Sequence, residues 1–153
     1  MATSGWQNEQ LILSRTFSAS LALYGNVRID SITHTGTNLR VTGVIALCPR
    51  QNGTYGTCTY GYVQYVTPEG GSQTKIVDAN TRMVTPGHPQ YSHTDYYANF
   101  DVTLTGVAAT ATSRNFTVNF YNGSPSYGYN TNLTWTLYFD QSGTAPSGLD
   151  VTL

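Results

Sequence analysis

From Leu133 to Phe139 every second residue is large and apolar: Leu133, Trp135, Leu137 and Phe139 alternate with Thr134, Thr136 and Tyr138. A repeat of two places the apolar set on one side of an extended chain and the polar set on the other. The segment can therefore fold as a half-buried strand but not as an amphipathic helix, whose repeat is 3.6. The pattern recurs at Phe116, Val118 and Phe120 against Asn115, Thr117, Asn119 and Tyr121, and the strong turn signal Asn122-Gly123 follows. Upstream, Tyr96, Ala98, Phe100, Val102 and Leu104 alternate with Tyr97, Asn99, Asp101, Thr103 and Thr105. A short connection over residues 106–113 predicts a hairpin between that strand and the Phe116 strand.

The first half repeats the theme. Phe17, Ala19, Leu21 and Leu23 share one parity before Gly25-Asn26, and Val27 and Ile29 resume it, which predicts a second hairpin turning at Gly25-Asn26. Leu39, Val41, Ile45 and Leu47 mark a strand that runs into Cys48, with Gly43 suited to a bulge or a close approach. Residues 59–67 are aromatic and β-branched on both parities and end at Pro68-Glu69-Gly70-Gly71. No window carries a sustained helical stripe. The expected fold is an all-β antiparallel sandwich of seven or eight strands, immunoglobulin-like or jelly-roll-like. It occupies residues 1–142 as one domain, with an N-terminal arm over 1–10 and a C-terminal arm over 143–153.

At 153 residues the chain is long enough for one core, and 39% hydrophobic residues supply it. Charged residues are only 10%, against about 25% in an ordinary soluble domain, so the exposed faces must be largely Thr, Ser, Asn, Gln and Tyr. The net charge is −1 and the single lysine is Lys75, so no basic stripe exists to neutralise phosphates and nucleic acid is not an expected partner. The opening residues lack the positive and apolar regions of a secretory signal and no run approaches a membrane span. A chain made in soluble form, without membrane insertion, is expected.

Cys48 and Cys58 flank a segment containing Asn52-Gly53 that can fold back as a hairpin loop, so they are either a short-loop disulfide or two separate thiols. Their spacing is not that of a zinc site. His88, His93 and Asp95 bring metal-ligating types into one stretch, but without a fourth ligand they read as polar surface, and no metal or cofactor is assigned. Asp78, Asp95 and Asp101 form no arguable catalytic pair, and no nucleophile-turn motif is present, so the chain is expected not to be an enzyme. Triplets of the Asn-x-Ser/Thr type begin at Asn52, Asn115, Asn122 and Asn132, as an Asn- and Thr-rich chain produces by chance. Tyrosine is abundant. Tyr55, Tyr60, Tyr91 and Tyr96 are candidate faces for stacking on a glycan, set against the alternative that Tyr is an ordinary residue of sheet rims.

The opening Met1-Ala2-Thr3-Ser4-Gly5, the Thr/Ser/Asn/Tyr-rich run from Arg114 to Tyr121 and the scarcity of lysine resemble structural proteins of tailed-phage virions, in particular the small β-sandwich domains of tail, fibre and head-decoration proteins. The resemblance covers the whole chain in style and rests on no motif that aligns residue by residue, so no site is carried over. It implies a protein assembled in the host cytoplasm, acting in the virion through contacts with other subunits or with itself, with loops available to a host surface. Those contacts are expected at strand edges or through the arms Met1–Gln10 and Gly143–Leu153, which have too few apolar residues to hold themselves. Two other classes fit the same residues. One is a carbohydrate-binding module using the four tyrosines. The other is an extracellular bacterial adhesin or pilus-like subunit using an open strand edge and an oxidised Cys48–Cys58 bridge.

Overall fold

The computed structural model describes residues 2–16, 20–51, 54–55, 65–78, 96–123, 125 and 128–139, some of them at strand ends by their backbone alone. Its strands are β1 (Gly5–Trp6), β2 (Gln10–Thr16), β3 (Ser20–Thr35), β4 (Asn38–Gln51), β5 (Thr54–Tyr55), β6 (Tyr65–Pro68), β7 (Thr74–Lys75), β8 (Val77–Asp78), β9 (Tyr96–Leu104), β10 (Ser113–Asn122) and β11 (Tyr129–Tyr138). There is no helix among the described residues. The larger sheet runs β1-β3-β4-β9-β8, with β2 also on β3 and β5 on β4, and the smaller runs β11-β10-β6-β7. All pairings are antiparallel. The protein is an antiparallel β-sandwich, as the alternation requires.

The core lies where the inward parities of the two sheets meet. From β4 come Leu39, Val41, Ile45 and Leu47, and from β9 Ala98, Phe100, Val102 and Leu104. Facing them are Phe116, Val118 and Phe120 from β10 and Leu133, Trp135 and Leu137 from β11. Phe100 and Phe116 stack across the gap, ring centroids 5.4 Å apart and planes at 27°. Burial of side chains this large is the main favourable term holding the sheets together.

Two expected hairpins are not there. Gly25-Asn26 is no turn: β3 runs through it for 16 residues. A Cβ at Gly25 would lie 2.6 Å from Cζ of Phe120 and 2.8 Å from Cδ1 of Leu133, so the glycine is where side chains of the smaller sheet press onto the larger. Asn26 is 1% exposed, donates from Nδ2 to the Gln7 carbonyl (2.8 Å) and accepts from the Val27 N–H at Oδ1 (2.8 Å), so its amide is spent inside the domain. Likewise β9 and β10 do not pair. The connection over 105–112 carries the chain from the larger sheet to the smaller, so β9 pairs with β4 and β10 with β11 and β6. On either side of Asn52-Gly53, which lie outside the described residues, Gln51 pairs with Thr54 and Arg50 with Tyr55.

A register shift between Ile29 and Ser31 leaves Asp30 as the extra residue of β3. Before it the odd residues Leu23, Val27 and Ile29 point inward, and after it the even residues Ile32 and His34 do. The bulge thus keeps one face buried along a long strand. Arg28 bridges it with a bidentate contact to Asp30 (2.9 and 3.3 Å), and its guanidinium lies 5.8 Å from the Trp6 ring. His34 is fully buried. It stands edge-on to Phe139 at 5.0 Å, and neither ring nitrogen has a hydrogen-bond partner.

The N-terminal segment is not a free arm. Thr3 donates its N–H to the Tyr138 carbonyl (2.8 Å), and Thr3 Oγ1 accepts from the Tyr138 N–H (2.7 Å). Trp135 Nε1 donates to the Asn8 carbonyl (2.7 Å) and Gln10 Nε2 to the Thr134 carbonyl (2.8 Å). On its other side the segment joins β3: Gly5 and Trp6 pair with Ile29 and Arg28, and the Gln7 N–H donates to the Val27 carbonyl (3.0 Å). It straps the edge of one sheet to the other and covers β11, an edge that would otherwise be open to a foreign strand. Residues 143–153 lie outside the described residues.

Candidate functional site: the open face of the four-stranded sheet

The polar parity of the smaller sheet faces away from the core. It consists of Asn115, Thr117, Asn119 and Tyr121 on β10, Asn130, Asn132, Thr134, Thr136 and Tyr138 on β11, and Tyr65 and Thr67 on β6. The side chains pair across strands as the register dictates. Thr136 Oγ1 donates to Asn115 Oδ1 (3.0 Å) and the Thr117 and Thr134 hydroxyls meet at 2.9 Å. Asn119 Nδ2 donates to both Asn130 Oδ1 (2.7 Å) and Asn132 Oδ1 (2.9 Å). The bonds link the three amides and use none of the Asn119 carbonyl and the Asn130 and Asn132 NH2 groups.

Beside these amides lie two aromatic side chains. Tyr121 pairs with Asn130 on one side and with Tyr65 on the other, and Tyr65 pairs in turn with Lys75 of β7. One row across the sheet therefore reads Asn130, Tyr121, Tyr65, Lys75, about 14 Å wide at the usual strand spacing. Tyr121 is 37% exposed and its hydroxyl lies 2.7 Å from where a Cβ on Gly123 would stand, so its ring leans over that glycine. Tyr138 is 56% exposed and pairs with Ser113, eight residues along the strand or about 27 Å away.

The ionic groups sit at the margins. Arg114 Nη2 contacts Glu69 Oε2 at 2.7 Å, and the Thr117 N–H donates to Glu69 Oε1 (3.2 Å), fastening the β6–β7 turn to β10. The hydrogen bond from Arg114 above all, and that from Thr117, hold the Glu69 carboxyl below its ordinary value against partial desolvation. A carboxylate with a lowered pKa stabilises the fold above its unfolded value of about 4.3, and that contribution disappears as pH falls through the folded value. Glu69→Gln is therefore expected to lose at most about 1 kcal/mol at pH 7, because the pair is about one-third exposed. Its deficit should vanish at pH values well below 4, which urea titrations followed by tryptophan fluorescence would read. On the larger sheet Arg40 clasps Asp101 (2.9 and 2.6 Å), and the hydrogen bond and charge of Arg40 lower the Asp101 pKa.

Of the tyrosines singled out in the sequence, Tyr96 does not qualify. It is 9% exposed, opposite Leu47 with its side chain turned to the core, because it begins the inward parity of β9. Tyr55 is described only by its backbone, in β5. Tyr60, Tyr91, His88, His93 and Asp95 lie outside the described residues, as does Cys58, while Cys48 is placed by its backbone opposite Tyr24. Asp78 is placed by its backbone alone opposite Tyr96, and Asp101 is committed to Arg40. Asn115 and Asn132 are exposed on the open face, and Asn122 is 4% exposed. No group of His, Cys, Asp and Glu among the described residues is arranged to hold a metal.

A shallow groove of about 190 Å³ lies between the β6–β7 turn and β9, lined by Ser72, Thr74, Asn99 and Asp101 among others. That is below the usual volume of a small-molecule site, roughly 300 Å³ and up. The open face of the smaller sheet is the better candidate. No family model, no curated protein and no solved structure matches the chain.

Proposed function

We propose that this chain is a non-enzymatic structural or accessory protein of a tailed-phage virion, working through contacts with other virion subunits or with copies of itself and displaying its outer surface to the host. The observation that carries this reading is a charge-poor, hydroxyl- and amide-rich sheet face on a sandwich whose neighbouring edge strand is already covered by its own chain. A rigid body with a large neutral face suits packing and display. The Thr-, Asn- and Tyr-rich strands that resemble virion domains are the ones that form this face.

Assembly through Ala2–Gln10 does not fit, because that segment is hydrogen-bonded along its own domain. The adhesin-like reading would have to use a strand edge other than β11, along which the segment lies. That leaves the strand edges the N-terminal segment does not cover and residues 143–153 as the expected assembly contacts, and the second of these can be removed by truncation. Light scattering coupled to size-exclusion chromatography should find the full-length protein as a defined oligomer that dissociates when residues 143–153 are removed. A monomer in both forms would overturn the assembly reading.

A further inference from the structure

From the open face we infer that the patch of Tyr65, Tyr121, Asn119, Asn130 and Asn132 is a binding site for an uncharged glycan chain. The display reading above gives such a site its use, but binding would be a property of the isolated domain.

The argument begins with charge. Neither the patch nor the adjoining Thr117, Thr134 and Thr136 carries an ionised side chain. The charges that border it are of opposite sign, Lys75 opposite Tyr65 and the Glu69 carboxylate on the Thr117 N–H, so the border as a whole does not select for an anionic chain. A neutral ligand that is to be held in water by such a surface must bring both hydroxyl groups and weakly polar faces.

The amides supply the first match. Asn119 Nδ2 donates to both Asn130 and Asn132, at exposed positions, which leaves its own carbonyl and their two NH2 groups available to a ligand. A fixed set of one acceptor and two pairs of donors complements vicinal hydroxyls, each of which both donates and accepts. Because the orientation is set before any ligand arrives, little side-chain entropy is lost on binding.

The tyrosines supply the second match. Tyr121 and Tyr65 are direct cross-strand neighbours on the same face, about 4.8 Å apart at the backbone, and Tyr121 is adjacent to Asn130 in the same row. The Asn119–Asn132 row lies one dyad away, about 7 Å along the strands. Aromatic rings bind the C–H faces of sugars while amides at that distance reach the hydroxyls of the same or the next residue. The patch therefore fits two consecutive sugar units of a neutral oligosaccharide. Gly123 is a positioning residue, because a side chain there would displace the Tyr121 hydroxyl.

The test is binding of the full-length protein to an array of neutral hexose and N-acetylhexosamine oligosaccharides alongside sialylated and sulfated counterparts, followed by titration of the best neutral ligand. Retention on neutral glycans that survives 0.5 M NaCl is expected. Tyr121→Ala and the double variant Asn130→Ala with Asn132→Ala should each weaken it by about tenfold or more, Tyr121→Phe should keep most of it, and Tyr138→Ala should leave it unchanged. All these positions are on the surface, and thermal unfolding of each variant confirms that the fold is intact. Failure to retain any neutral glycan, preference for anionic glycans with loss in salt, or equal affinity of the Tyr121→Ala variant would overturn the inference. So would an oligomer that Tyr121→Ala dissociates, since the face would then belong to a second copy. The glycan-binding results do not bear on dissociation by removal of residues 143–153, so the virion reading stands or falls separately.

Discussion

Gly43→Ala should lower the stability of this domain by about 3–5 kcal/mol, more than any other single-methyl addition considered in it. The Cβ would overlap the backbone carbonyl oxygen of Arg28 on the neighbouring strand and lie 3.0 Å from Cε1 of Phe100 on the other side. The ring could turn aside, but the carbonyl could not. It belongs to the residue before Ile29, at the start of the bulge that restores the inward parity of β3, so the two central strands of the larger sheet would have to separate there. Gly25→Ala is the control. There the added methyl meets only the far ends of Phe120 and Leu133, which can swing, and overpacking of that kind costs about 1–3 kcal/mol. Urea unfolding followed by the fluorescence of Trp6 and Trp135 would rank the two. Equal losses would mean that β3 and β4 approach less closely at Gly43 than the structure places them.

Those glycines also mark the limits of what the sequence discloses. Alternation is a local property, and it identified the strands of β9, β10 and β11 with their inward residues because each of them keeps one parity throughout. Whether consecutive strands share a sheet is not local. Residues 106–113 read as a hairpin connection by length, yet the chain changes sheets over 105–112, and Phe100 and Phe116 stack between the sheets rather than lying side by side in one. Gly25-Asn26 carries the chemistry of a turn for reasons that are not those of a turn. The glycine makes room for Phe120 and Leu133, and the asparagine satisfies a backbone carbonyl 19 residues away. Tertiary demands chose the same residue types that a reverse turn would.

The candidate site was legible in part. The outward parity of Asn115, Thr117, Asn119 and Tyr121 follows from the same alternation that places Phe116 and Phe120 inside. Tyrosine content alone pointed elsewhere, because it is blind to parity: Tyr96 and Tyr121 are equally aromatic, and only the register decides that one faces the core and the other the solvent. The bringing together of Tyr65 with Tyr121 depends on β6 crossing to pair with β10, which no pattern in the intervening residues announces.

Removal of Ala2–Glu9 is expected to be as costly as Gly43→Ala, and it separates two views of the N-terminus. An arm reserved for neighbouring subunits would leave the domain's own stability unchanged when deleted. A strap belonging to the domain would not. Deletion strips the Gln7 carbonyl from the buried Asn26 amide and the Asn8 carbonyl from Trp135 Nε1, and a buried polar group left without its partner costs about 1–3 kcal/mol. It also removes the pairing of Gly5 and Trp6 with β3 and the bonds between Thr3 and Tyr138. A total near 3 kcal/mol would lower the melting temperature by roughly 6–12 °C in a domain of this size. The uncovered edge of β11 would at the same time become a template for strand pairing, so the truncated protein should associate in a concentration-dependent way beyond the defined oligomer of the intact chain. Asn26→Ala in the full-length chain keeps the cover and loses only its anchor. It should show a smaller thermal shift without new association, and that contrast assigns the two effects to the anchor and to the covered edge. A truncated protein with an unchanged melting temperature would return the segment to the role of an arm.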